Sequence, residues 1–279
     1  MVVQVRRVFS PLMDGPLSGL SPRRRALLLG VAVLVLALVA AVAVTVLVRH
    51  VGRRGVPAAD RPGPVLLVPG YGGNVGSLNP LADRLRAAGR EVTEVPLPGD
   101  GTGDLAQQAA ALDGYVASAL KSPAGVSAGS VDVVGYSAGG VVARLWVQRY
   151  DGAHKARRVV TLGSPHHGTS LAAAGTVLAP GACPTACQQL TPGSSLLAGM
   201  RTPVPAPPAW LAVWTDDDQT VSPPDSGRLE GATNLEIQSV CPGLTVSHGQ
   251  LPSNGFVQAA VLGALGAAPI HLPTAADCG

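Results

Sequence analysis

A serine sits at the centre of Gly135-Tyr136-Ser137-Ala138-Gly139, a G-x-S-x-G pentapeptide. The β-branched run Val131-Asp132-Val133-Val134 precedes it, and a stretch of helical character, Gly140 to Tyr150, follows. Strand, sharp turn and helix form the setting in which such a serine becomes a nucleophile. The turn forces Ser137 into strained backbone geometry, so the residues two positions away must lack bulk. Glycine at 135 and 139 meets that need. The competing reading is a Gly-rich structural turn; the flanking strand and helix favour the nucleophile.

A serine hydroxyl is a weak nucleophile at neutral pH and needs a base within hydrogen-bond reach, with a carboxylate to orient that base. Among the six histidines, His50 lies beside an apolar run, His154 in a charged connection and His271 in a Pro-flanked tail. Only His248, in Ser247-His248-Gly249, follows the last predicted strand and precedes the last predicted helix, so it is the expected base. His166 and His167, in Gly163-Ser164-Pro165-His166-His167-Gly168-Thr169, are candidates to line the site. They precede the candidate acid, against the chain order Ser, acid, His. That acid is expected within Asp216-Asp217-Asp218, after the Trp210–Trp214 strand. Three adjacent carboxylates cannot all point inward, and burying even one requires a partner. Asp218 stands ahead of Asp217, and both ahead of Asp216, because Val221 can pack inward and fix the loop that Asp218 begins. Donors for an oxyanion are expected from the backbone N–H of Ala138 and of Tyr71, the latter in the Gly-rich loop Val68-Pro69-Gly70-Tyr71-Gly72-Gly73-Asn74.

The elements that hold these residues alternate. Strands are predicted at Val65–Val68, Val92–Leu97, Val131–Tyr136, Arg158–Leu162, Trp210–Trp214 and Leu235–Val240. Helical faces are predicted around Leu78/Leu81/Leu85 and over Leu105–Leu120, Gly140–Tyr150 and Gly255–Leu265. Such alternation predicts an α/β fold, a mostly parallel sheet of about six strands with helices on both faces. Residues 163–208 interrupt the rhythm, either as a wall over the site or as a disulfide-stapled surface excursion.

Ahead of this region lies Ala26 to Val48, an uncharged apolar run long enough to cross a hydrocarbon core of about 30 Å. It exceeds the ~7–15 residues of a signal-peptide core, which favours an uncleaved anchor over a cleaved leader. The expected organisation is a basic cytoplasmic tail over 1–25, a transmembrane segment over 26–48, a linker over 49–63 and a catalytic domain over 64–279. Residues 1–63 carry nine Arg and two Asp, whereas residues 64–279 carry eleven Lys+Arg and fifteen Asp+Glu. The positive balance therefore belongs to the membrane flank, and nucleic-acid binding loses its main argument. Arg6, Arg7 and Arg23–Arg25 outnumber Arg49, Arg53 and Arg54, which favours a cytoplasmic amino end and an exported remainder. All four cysteines follow the apolar run. An even count there suggests two disulfides, Cys183–Cys187 and Cys241–Cys278. A C-x3-C spacing with no matching His pair argues against zinc.

Four segments carry a resemblance: Val68-Pro69-Gly70-Tyr71-Gly72-Gly73, Gly135 to Gly140, Leu162 to Thr169, and Asp218 with His248. From Pro64 to about Leu265 the chain resembles bacterial lipases and esterases of the α/β-hydrolase superfamily, especially the class 2 triacylglycerol lipase type. The resemblance implies carboxylic-ester hydrolysis by Ser137, His248 and Asp218, with the Tyr71 and Ala138 amides as oxyanion donors and no metal or organic cofactor. Pro69-Gly70 stands where many relatives have His-Gly. The expected partners are a lipid or small ester and a membrane, for a monomer whose catalytic domain is extracellular. Two rival readings are an envelope acyltransferase with the same triad and a non-catalytic hydrolase-fold binding module.

Overall fold

A computed structural model describes residues 21–52 and 57–278. Arg6, Arg7, Arg53 and Arg54, named above as flanking charges, lie outside the described residues. The chain divides into two units, one ending at Gly55 and one beginning at Val56.

The first unit contains one helix, α1 (Pro22–Gly52). Within its stretch Pro22–Thr45 an 18-residue window reaches a mean hydropathy of 3.1, and the helix is long and apolar enough to cross a membrane. Leu27, Leu36 and Val39 stand exposed along it, and the one hydroxyl, Thr45 Oγ1, bonds back to the carbonyls of Ala41 and Val42. That back-bonding removes the need for an outside partner. α1 runs through Arg49 to Gly52, four residues into the expected linker. No Gly or Pro interrupts the helix between Val48 and Gly52, so nothing stops it earlier.

The second unit opens with β1 (Val65–Val68), α2 (Asn79–Ala87) and β2 (Val92–Glu94). α3 (Leu105–Ala119), capped by the Asp104 carboxylate, and the short α4 (Pro123–Ala128) lead to β3 (Val131–Tyr136) and α5 (Ala138–Arg149). Then come β4 (Ala156–Leu162), α6 (Ser170–Leu178), α7 (Thr185–Gln189) and α8 (Ser195–Ala198). β5 (Ala209–Trp214), β6 (Thr233–Glu236), α9 (Ile237–Val240) and α10 (Gly255–Leu265) complete it.

The six strands form one parallel sheet in the order β2-β1-β3-β4-β5-β6. β1, β3 and β4 are buried along their whole length, as strands covered on both faces must be. Alternate residues feed two cores. Leu66, Val68 and Val133 pack with Leu105 and Leu112 of α3 and Val142 and Trp146 of α5. Leu67, Val134 and Val160 pack with Leu81 and Leu85 of α2 and Val257 and Val261 of α10.

Two predicted strands end early. β2 gains one more rung from Val95 N–H to the Leu67 carbonyl, and then Pro96 has no amide to continue the ladder. The predicted strand Leu235–Val240 stops at Glu236 and turns into α9. Ile237, Val240 and Cys241 recur at helical spacing, which buries Ile237 and brings Cys241 to Cys278. The bridges are Cys183–Cys187 and Cys241–Cys278.

At the strand end where β3 begins, Asp132 is fully buried. Arg157 grips it with two bonds of 3.0 and 2.6 Å, and Arg90 adds a third of 2.6 Å. The β3–β4 register shifts between Val131 and Asp132, which leaves Arg157 without a strand partner opposite it and lets it turn toward the carboxylate. The two guanidinium groups also hold the carbonyls of Ala59, Gly63, Leu265 and Gly266.

Candidate active site

Ser137 occupies the turn between β3 and α5 with φ 54° and ψ −125°, a conformation that L-residues rarely adopt. Its amide donates to the Leu162 carbonyl on β4 at 2.8 Å. The neighbouring glycines are sterically required. A Cβ on Gly135 would stand 2.5 Å from the Gly139 carbonyl oxygen, and one on Gly139 would collide with the Val68 carbonyl. Gly140, too, has no room, because a Cβ there would strike the Ser164 hydroxyl.

The loops leaving β5 and β6 reach back to this turn. His248 Nε2 lies 3.0 Å from Ser137 Oγ, and His248 Nδ1 lies 2.6 Å from Asp218 Oδ2. A carboxylate only accepts, so Nδ1 carries the proton and Nε2 is left to accept from the serine hydroxyl. Asp218 Oδ1 takes the amides of Thr220 and Val221 at 2.9 and 2.7 Å, which fixes the carboxylate on its own loop. Val221 is buried. Asp217 points elsewhere: its Oδ2 accepts from Gln238 Nε2 and the Val246 amide. Asp216 is exposed.

Tyr136 holds the backbone of His248. Its buried hydroxyl donates to the His248 carbonyl, and burial, assisted by the Asp218 charge, raises its pKa to about 12. Gly163, at φ +53°, passes directly beneath the pair. A Cβ there would lie 3.1 Å from His248 Nδ1 and 3.2 Å from Asp218 Oδ2. Neither role was read from the sequence; a glycine immediately after an apolar strand was the available signal for the second.

Ala138 is the first residue of α5, so its N–H has no intrahelical acceptor. The Tyr71 amide makes no backbone hydrogen bond among the described residues. Tyr71 and Ser137 open onto one cavity of about 200 Å³, walled by Pro165, Leu171, Ala172 and Leu190 among others. The excursion over 163–208 therefore supplies a wall and carries a disulfide staple as well.

His166 and His167 do not line that cavity. Pro165, between Gly163 and the two histidines, faces it instead. His166 is buried, with Nε2 3.1 Å from Thr161 Oγ1, and its amide donates to the Ser226 carbonyl. Its imidazole pKa lies well below 6.5, chiefly through burial and then through the charges of Arg144 and His167. Arg144, buried in turn, is lowered to about 10 and donates to the His166 carbonyl. His167 Nε2 meets the Arg228 carbonyl. The pair stitches the loop after β4 to residues 226–228.

The fold also recurs in known proteins. A lipase B from Aspergillus fumigatus superposes with a TM-score of 0.64 at 18% identity, over 78% of this chain and 56% of that one. The chain has the α/β-hydrolase fold. The mature Bacillus licheniformis lipase BlEst2 gives a TM-score of 0.59 at 18% identity over 74% of this chain and 93% of its own. A metagenome-derived lipolytic enzyme, from a study of LipS and LipT, gives 0.55 at 15% identity over 76% and 99%. The chain spans just over half the length of the Aspergillus lipase. A family model described as palmitoyl protein thioesterase matches residues 64–199, which include Ser137 and end before Asp218 and His248. No curated protein matches in sequence.

Proposed function

We propose that the chain is a serine hydrolase that cleaves carboxylic esters through an acyl-enzyme on Ser137. The observation that carries this reading is the continuous path from Asp218 through His248 to the Ser137 hydroxyl, opening onto an apolar cavity. In the first step His248 Nε2 takes the hydroxyl proton as Ser137 Oγ adds to the ester carbonyl carbon. The amides of Tyr71 and Ala138 donate to the resulting oxyanion, and the positive end of the α5 dipole favours the same charge. The carbonyl re-forms, the bond to the leaving alcohol breaks, and His248 returns the proton to that alcohol. Water then adds to the acyl-enzyme with the same proton transfers and frees the acid. Asp218 orients the imidazole and stabilises its charged form.

Incubation with a fluorophosphonate and a short p-nitrophenyl ester tests this reading. Labelling of Ser137 and turnover that disappears in Ser137→Ala are expected. An unlabelled serine, or turnover retained in the pure variant, overturns it and revives the binding-module alternative.

A second reading is hydrolysis of acyl thioesters by the same groups, favoured by the thioesterase family match over residues 64–199. Matched oxygen and sulfur esters of one acyl group separate the two through kcat/KM. For location, we propose that α1 anchors the chain in a membrane with the α/β unit on the exported side. The two disulfides support an oxidising compartment. Solubility of the full chain in alkaline carbonate, without detergent, would contradict the anchor.

A further inference from the structure

The cavity beside Ser137 has an unusual wall. Cys187 of α7 lines it together with Leu171 and Ala172 of α6. α7 is fixed to the body of the domain. The Ala186 amide donates to the Thr102 carbonyl, and the Gln189 side chain pairs with the Leu105 amide and the Asp104 carboxylate at the start of α3. α6 is fixed differently at its two ends. Its first turn is held by Thr169 Oγ1 on the Thr220 carbonyl and by the Ser170 amide on the Ser222 carbonyl. Its second half rests on the Cys183–Cys187 bridge: a Cβ on Gly175 would stand 3.3 Å from Cys187 Sγ, and Thr176 Oγ1 lies 3.3 Å from Cys183 Sγ. Beyond that support Val177 and Leu178 are 76% and 82% exposed. The bridge is thus the seam between a wall segment tied to the domain and one whose second half is held by the bridge and by Thr176 Oγ1, 3.0 Å from Thr191 Oγ1.

We propose that the Cys183–Cys187 bridge sets the length of acyl chain the site accepts, by holding the second half of α6 against α7. The inference rests on the hydrolase reading of Ser137. A dry cavity of about 150 Å³ takes one benzene ring, so about 200 Å³ encloses roughly eight carbon atoms. An octanoyl group fits within the wall as it stands. The remaining carbons of a hexadecanoyl group extend past this wall, and burying them needs α6 to move away from α7.

The test compares kcat/KM for p-nitrophenyl octanoate and hexadecanoate in the full chain. Cys183→Ala/Cys187→Ala is expected to raise the hexadecanoate-to-octanoate ratio about ten- to a hundredfold, the range that newly buried methylenes bring in an apolar pocket. Gly175→Ala keeps the bridge and crowds its sulfurs. Because α7 is bonded to α3, α6 must yield, so the ratio rises in the same direction by a smaller factor. This variant keeps the inference testable if the bridge-free protein does not fold. Cys241→Ala/Cys278→Ala, at the other bridge, is expected to leave the ratio where it was. Turnover with a ratio unmoved by Gly175→Ala and by any folded bridge-free protein overturns this inference alone. Absence of turnover and of Ser137 labelling in the unsubstituted protein overturns it together with the hydrolase reading.

Discussion

The Tyr136 hydroxyl donates to the His248 carbonyl oxygen across 3.1 Å, and the two rings lie 5.1 Å apart. The residue immediately before the serine therefore holds the backbone of the histidine whose ring faces that serine. Tyr136→Phe removes that bond and keeps the ring. A bond of this kind is worth about 1 kcal/mol, or about fivefold in rate. We expect kcat to fall by about that factor with KM little changed. Steady-state kinetics on a short ester checks it.

The same tyrosine carries an alkaline signature. Its folded pKa, about 12, lies above its ordinary value of 10.0, so the unfolded chain loses the proton first as pH rises. The stability this represents is complete below pH 10 and disappears as pH climbs toward 12. Denaturation midpoints measured across that window should fall more steeply for the unsubstituted protein than for Tyr136→Phe.

Adjacent aspartates should separate cleanly. Asp218→Asn replaces the group facing His248 Nδ1 and is expected to lower kcat by about 10⁴ under the hydrolase reading. Asp217→Asn leaves that contact alone. It alters an acceptor used by the Val246 amide and Gln238, and should cost about 1 kcal/mol of stability with kcat within a few-fold. Kinetics and urea denaturation on the two variants check this; a larger loss of rate in Asp217→Asn would reverse the assignment.

Acid should destabilise the fold through His166. The buried ring resists protonation, whereas the unfolded chain takes up the proton near 6.5. The contribution is fully present above that value and declines as pH falls below it. His166→Asn should flatten the loss of stability between about pH 7 and pH 5, read as the shift in urea midpoint.

Asp132, fully buried, faces two guanidinium groups. Asp132→Asn leaves both cations without a counter-charge, and we expect a loss of about 3–5 kcal/mol by chemical denaturation.

The sheet was legible because buried parallel strands are written as uninterrupted apolar runs, and β1 and β5 are such runs. The meeting of Ser137, Asp218 and His248 was legible because the first two follow β3 and β5 and the third comes after β6 by way of α9, and parallel strands deliver their outgoing chain to one edge. Asp218 could be ranked above Asp217 from Val221, whose burial and amide bond do fix that loop. The histidines at 166 and 167 misled because position after a strand says nothing about which way a side chain turns. Gly163 bends the chain so that Pro165, not the imidazoles, meets the cavity. The helices α6 to α8 were illegible for a related reason. They are short, and their packing depends on partners distant in sequence, such as Thr102 and Asp104 for α7.

The clamp around Asp132 has a mechanical consequence. The segment that enters the α/β unit, at Ala59 and Gly63, and the segment that leaves its last helix, at Leu265 and Gly266, hang from the same pair of guanidinium groups. Five residue steps along β3 separate Asp132 from Ser137, about 16 Å at ~3.3 Å per residue. Tension transmitted along the entering segment is absorbed at that end of the sheet, and the strained turn at the other end is spared the load.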